Sequence, residues 1–260
     1  MPAENHDRNF PTMRRLATVS GRIAATDEPC IVQMQRMLRT IKPAPASLAQ
    51  GIVHWSPPER AIRAAADALA ASGAARGAVH GYGPDDGLPE LRAALAEKLR
   101  DENGLAGCAR GESELMVTAG ANQAFANLVL ALCDAHDAVV LFRPFYFNHA
   151  MAVQMAGGAR RLVLGPSVVA RRGSGGDEGD ADGGGGGARE LVPDLDWLER
   201  ELDTRAATGA PRVRLVVLVN PGNPTGAMLP RASLERASAL CRAHGARSRV
   251  GSAPLPRGCS

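Results

Sequence analysis

Two short apolar runs, Ala138–Phe142 and Val213–Val219, constrain this chain more than any other feature. Each is rich in valine and leucine and opens directly into a proline-containing loop, so both read as strands covered on two faces. Segments with helical composition and period surround them. The pattern predicts helices over Ala61–Ser72, Leu88–Asn103, Asn122–Cys133, Asn148–Ala156, Leu195–Leu202 and Ser233–His244, with Gly104 stopping the second. Further short strands are predicted at Glu114–Thr118 and Arg161–Leu164. Strands alternating with helices of this length imply βα units. The expected class is α/β, a mostly parallel sheet flanked by helices.

Length and charge narrow the functional classes. With 260 residues, 45% of them hydrophobic, the chain can bury the core of one large domain or one and a half. Thirty basic residues against 27 acidic ones, net +3, give no reason to expect nucleic acid or an acidic membrane as partner. No apolar stretch reaches the roughly 18 to 20 residues of a membrane span, so a soluble protein is expected. Cys30, Cys108, Cys133, Cys241 and Cys259 are odd in number, scattered and never spaced C-x-x-C. They suit reduced thiols in a cytosol-like compartment, and no metal site is expected. Met1–Arg22 carries several arginines, but Glu4 and Asp7 argue against an organelle transit peptide, so a cytoplasmic location is favoured over organelle import.

The chain divides into an N-terminal arm at 1–50, an incomplete large domain at 51–246, and a divergent tail at 247–260. Within the domain, Gly173–Gly187 (GSGGDEGDADGGGGG) is too polar and too flexible to bury anything, so it reads as a mobile surface loop. No Lys-Ser/Thr follows it, which excludes a phosphate loop. The stretch Ala246–Ser260 holds three arginines, two prolines and no period. A βα fold wants an apolar strand there, and none is evident.

Three stretches can carry chemistry. TAGANQAF, Thr118–Phe125, sits at a predicted strand-to-helix junction, where Gly120 permits a tight turn and the amides of Ala121 and Asn122 open a helix that attracts an anion such as phosphate. Read alone, it is more often an ordinary βα turn with a glycine in it. RPFYFNH, Arg143–His149, places three aromatics after a strand, at the rim where ligands bind in open α/β sheets. Phe145, Tyr146 and Phe147 are either a stacking platform for a flat ligand or core residues. NPGNPTG, Asn220–Gly226, fixes a rigid loop after the most apolar strand and presents the Asn223 amide as a directional donor. So many constrained positions favour a functional loop.

Together, YGPDDGLPELR, TAGANQAF, PFYF and NPGNPTG resemble the class I/II aminotransferases of the type I pyridoxal phosphate fold, in order and over about Ile31 to Gly245. SLAQGIVHW and TAGANQAF are most similar to plant-type aromatic aminotransferases that take methionine as amino donor. The resemblance implies a pyridoxal-phosphate enzyme acting on an amino acid and a 2-oxo acid, as a homodimer. It implies that Ala121 and Asn122, beside Gly120, bind the cofactor phosphate, that Tyr146 stacks on the pyridine ring, and that Asn223 holds the ring's phenolic oxygen. Tyr82 would reach the cofactor phosphate of the partner subunit, and Gly51 would lie near the substrate carboxylate. Without the family, Tyr82 is a turn aromatic and Gly51 a loop glycine.

The same resemblance implies three groups with no counterpart here: a lysine forming the Schiff base and moving the substrate's α-proton, an aspartate on the ring nitrogen, and an arginine holding the substrate carboxylate. The chain's only lysines are Lys42, in the arm, and Lys98, on a predicted surface helix. No acidic residue follows Glu235, and Arg257 lacks the family's context. The expectation is therefore no catalytic residue in this chain, whose break near Ala246 reads as a shifted frame, a retained intron or another truncation. A non-catalytic binding or dimerising remnant and a pyridoxal-phosphate lyase of the same fold are the alternatives. Exposed apolar surface and an open strand edge would make the isolated chain aggregation-prone.

Overall fold

The computed structural model describes residues 19–43, 45–48, 51, 53–71, 79–107, 110–111, 113–157, 161–171 and 189–251. The glycine-rich run 173–187 and positions 252–260 lie outside these residues.

Four strands form a parallel sheet: β1 (Ala138–Phe142), β2 (Leu162–Gly165), β5 (Val213–Val219) and β6 (Arg247–Gly251), in the order β2-β1-β5-β6. Every residue of β1 is buried, as a strand covered on both faces requires. Side chains alternate across it. Ala138, Val140 and Phe142 point to one face, where they meet helix α7 (Leu195–Thr208) through Leu198 and Leu202 and helix α8 (Arg231–Ala243) through Ala237 and Cys241. Val139 and Leu141 point to the other, where Phe125 and Val129 of α5 (Ala121–Leu132) and Ala150 and Val153 of α6 (Phe147–Gly157) cover them. The result is a three-layer α/β/α sandwich with one core on each side of the sheet.

Four further helices precede these: α1 (Gly21–Ala24), α2 (Cys30–Thr40), α3 (Glu59–Ala71) and α4 (Pro89–Asn103). None of the four buries a residue in this chain. The fourth ends as expected at Gly104, in the left-handed conformation at φ 68°, with its N–H on the Leu99 carbonyl.

Two expectations require correction. Glu114–Thr118 is no strand: the Val117 N–H donates to the Asp86 carbonyl at 2.9 Å, but no ladder forms. The tail at 247–260 is not wholly unstructured, because its first residues form β6, paired in parallel with β5 from Leu215↔Arg247 to Val219↔Gly251. The unpaired backbone edge of β5 recruits them in spite of their polar sequence. A pairing the sequence does not announce joins β3 (Ser167–Arg171) and β4 (Arg189–Pro193), which run antiparallel.

Candidate active site at the carboxyl edge of the sheet

Because β1 and β5 are parallel neighbours, with Val140 opposite Val216, both release their chains at the same edge. The β1 exit runs through Pro144, Phe145 and Tyr146 into α6, and the β5 exit is the loop from Asn220 to Gly226. Open α/β sheets bind ligands at such an edge. Here it borders a cleft of about 740 Å³, walled by Tyr146, Phe147, Asn148, Asn223 and Pro224 on one side and by Cys30, Ile31 and Leu48 of the arm, with Gly51 just after it, on the other. A smaller hollow of about 50 Å³ lies among Phe142, Tyr146, His149, Asn223 and Thr225. Three of the residues singled out by sequence, Tyr146, Asn223 and Gly51, thus share one cleft.

The loop that presents Asn223 is tied to itself. The Oδ1 of Asn220 accepts the Leu229 N–H at 2.9 Å, and the Gly222 N–H donates to the Ala227 carbonyl at 2.8 Å. The Gly226 N–H donates back to the Gly222 carbonyl at 2.6 Å, closing the turn with Gly226 at φ 71°. A side chain at Gly222 would collide with the Thr225 hydroxyl. These bonds fix where the Asn223 amide sits.

Tyr146 is held from two sides. Asn148 Nδ2 donates to its hydroxyl oxygen at 2.7 Å, and its ring meets His149 edge-on at 5.2 Å between centroids. His149 in turn packs on Phe125 of α5 at 4.1 Å. Burial lowers the His149 pKa from its ordinary 6.5 to about 4, so the imidazole is neutral near pH 7. Sequence reasoning quoted Asn148 and His149 without assigning them a role. The signal was there in the spacing, since Tyr146 and His149 stand three residues apart where α6 begins and share a face.

Of the other aromatics, Phe145 packs partly buried against the core under α5 and α6 and also lines the cleft. Phe147 lines the cleft. The Gly120 turn opens α5 with φ 87° and no side-chain cap, and nothing lies within 4 Å of a Cβ built there. The backbone conformation, not crowding, calls for glycine. Gln123 Oε1 accepts the Ala119 N–H at 2.6 Å in the manner of a capping box, which leaves the first amides of the helix, at Ala121 and Asn122, for another acceptor. These three residues line neither hollow directly. They stand about one helical turn before Phe125, whose ring packs on His149 at the smaller hollow.

Tyr82 is fully exposed and touches neither hollow. Lys98, half-buried on α4, is paired with Glu102 at 2.6 Å, and Lys42 lies exposed beyond the end of α2. No charged side chain lines the large cleft among the described residues, and among them no cluster of His, Cys, Asp or Glu could hold a metal ion. No helix among them is long and apolar enough to cross a membrane.

Known proteins resemble this chain in sequence and fold. The chain is 41% identical over 230 residues to aromatic aminotransferase ISS1 of Arabidopsis thaliana, covering 88% of this chain and 50% of that relative. It is 33% identical over 163 residues to aspartate/prephenate aminotransferase of Thermus thermophilus, covering 63% and 34% respectively. A solved structure of Thermus thermophilus aspartate aminotransferase, a single mutant, matches with a TM-score of 0.69 at 27% identity, over 91% of this chain and 53% of that one. The N-succinyldiaminopimelate aminotransferase of Mycobacterium tuberculosis matches with a TM-score of 0.66 at 28% identity, over 90% and 51%. The chain therefore spans about half the length of the relatives it matches, or less. A family model for aminotransferase class I and II covers residues 45–167 and 187–248, and with the parallel sheet and the loops at its carboxyl edge this places the chain among the class I and II aminotransferases, with the type I pyridoxal-phosphate fold.

Proposed function

We propose that this chain carries the cofactor-binding face of a pyridoxal-phosphate-dependent aminotransferase, which moves an amino group between an amino acid, aromatic or methionine, and a 2-oxo acid. One observation carries the reading: Tyr146 and Asn223, delivered by two different strands, line one cleft of about 740 Å³. That size is in the range of small-molecule and cofactor sites, roughly 300 to 1,000 Å³. An aromatic face, a fixed amide and an uncapped helix start suit a flat heteroaromatic ring carrying a phosphate.

In this reading Tyr146 lies against the pyridine ring and Asn223 donates to the phenolic oxygen. The amides after Gly120, at Ala121 and Asn122, take the phosphate, as helix N-termini do. When bound, the cofactor supplies an electron sink for the substrate's α-carbon. The chain's own residues bind and orient. Asn148 and His149 fix the Tyr146 ring, and the loop bonds of Asn220 and Gly222 fix Asn223. Gly51, on the arm side, stands where the substrate carboxylate would enter. Exposed Tyr82 is free to reach the cofactor phosphate of a partner subunit in a homodimer.

Proton transfer at the α-carbon requires a basic group in the cleft. Neither Lys42 nor Lys98 lines it, so within these 260 residues we assign that role to no lysine. The experiment is a titration of the chain with pyridoxal 5′-phosphate, followed by fluorescence, then borohydride reduction and peptide mass spectrometry. Binding is expected, weakened about tenfold by Tyr146→Ala and by Asn223→Ala, on the scale of one lost good contact. No stoichiometric fixation at Lys42 or Lys98 is expected. Wild-type affinity in both variants, or full labelling of either lysine, overturns the reading.

A further inference from the structure

Among the described residues two polar side chains are buried almost completely, and one of them, Gln154 on α6, is 4% exposed. Its amide is committed to a residue 127 positions away. Oε1 accepts the Asp27 N–H at 3.0 Å, and Nε2 donates to Asp27 Oδ2 at 2.7 Å. The orientation of the amide is forced, because a backbone N–H only donates and a carboxylate only accepts. Asp27 itself is exposed, between α1 and α2.

The position of this pair gives it a consequence. Three residues after Asp27, α2 begins with Cys30 and Ile31, which wall the cleft opposite Tyr146 and Asn223. The second helix buries no residue of its own, so its seat depends on what precedes it. On the other side, α6 contributes Phe147 and Asn148 to the cleft in its first turn and Gln154 two turns further on. One helix therefore builds one wall and anchors the other.

We propose that Gln154 is a positioning residue: latched to Asp27, it seats the arm as a wall of the cleft, so that occupancy of the cleft and seating of the arm are coupled. The choice of ligand rests on the pyridoxal-phosphate reading above. A molecule that touches both walls binds better when the arm is seated, and by linkage its binding must favour seating to the same degree.

The test uses the full chain and limited trypsin digestion, with cleavage after Arg22, Arg36 and Arg39 followed by mass spectrometry. Asp27→Ala removes one acceptor at an exposed position, whereas Asp27→Asn keeps an oxygen facing Nε2. Gln154→Glu sets a carboxylate against a carboxylate, and combining it with Asp27→Asn restores a donor opposite an acceptor. Cleavage in the arm is expected to accelerate about five- to tenfold in Asp27→Ala and Gln154→Glu, to stay at the wild-type rate in Asp27→Asn, and to fall again in the double variant. Pyridoxal 5′-phosphate is expected to slow cleavage of the wild type and to bind Asp27→Ala about fivefold more weakly, with Asp27→Asn unaffected. Equal cleavage of Asp27→Ala and wild type, or equal behaviour of Asp27→Asn and Asp27→Ala, overturns the latch. If the wild type binds no pyridoxal phosphate, the cofactor reading and the coupling fall together, while the cleavage rates without ligand still decide whether the latch exists.

Discussion

Replacing Asn220 by alanine tests whether the loop after β5 is held by its own side chains. In the native chain Asn220 Oδ1 accepts the N–H of Leu229, a residue only 8% exposed. Alanine leaves that N–H without its acceptor, and a buried donor stranded in this way costs about 1 to 3 kcal/mol. Here the bond is only partly buried, so water can replace part of it, and the lower half of that range applies. Asn220→Ala should therefore lose about 1 to 1.5 kcal/mol, roughly a tenfold change in the folding equilibrium. Asn220→Asp keeps an oxygen in the same place and should remain close to wild type. Trp197 supplies the signal for a urea titration, since its ring packs edge-on to Phe142 at 6.0 Å in the core beneath the loop. A loss below about 0.5 kcal/mol for Asn220→Ala, the usual size of a neutral surface substitution, would refute the argument.

Two further outcomes follow from burial. His149 has a folded pKa of about 4 against 6.5 for an open imidazole. The unfolded chain therefore binds the extra proton first, and stability present above pH 6.5 is lost as pH falls toward 4. After a discount for the partly open site, the loss should be about 1 to 3 kcal/mol, and it should vanish in His149→Phe when urea midpoints are compared at pH 7 and pH 4.5. Burial also pushes the Cys241 thiol up to about 11, while Cys30 is exposed. Iodoacetamide at pH 8 should label Cys30 and spare Cys241 until urea is added, and equal labelling in the folded chain would count against the packing of α8.

The parts of the fold legible in the sequence were those whose own residues determine them. Ala138–Phe142 and Val213–Val219 lie as predicted, because a strand covered on both faces needs a nearly continuous apolar run, interrupted here only by Arg214, whose Nε donates to the Leu132 carbonyl. The Asn220–Gly226 loop was equally plain, since few sequences satisfy so many constrained positions. What escaped notice depends on a distant partner. The strand Arg247–Gly251 has a polar sequence and forms because β5 offers an unpaired edge. The hairpin of Ser167–Arg171 with Arg189–Pro193 is hidden by the glycine-rich run between its strands. Glu114–Thr118 has a strand's composition but forms no ladder, its Val117 N–H donating to the Asp86 carbonyl instead. At the site the same rule holds. Tyr146 and Asn223 were marked by their motifs, whereas Asn148, His149 and Gln154 gain a role only when Tyr146, Phe125 and Asp27 come within reach.

Tyr146 and Asn223 share one wall of the cleft, but each follows a different one of two adjacent parallel strands, roughly 75 positions apart along the chain and paired Val140 to Val216. Contacts of such long sequence separation form slowly, because a large loop must close before any of them is rewarded. No fragment containing only one of the two strands can rehearse the cleft. A ligand that needs both residues therefore has no affinity for partly folded chains, and its stabilisation, which grows as RT ln(1 + [L]/Kd), goes entirely to molecules with the β1–β5 ladder closed. Ligand added during refolding would then pull the equilibrium toward the finished sheet, making occupancy a reporter of when the central ladder zips shut.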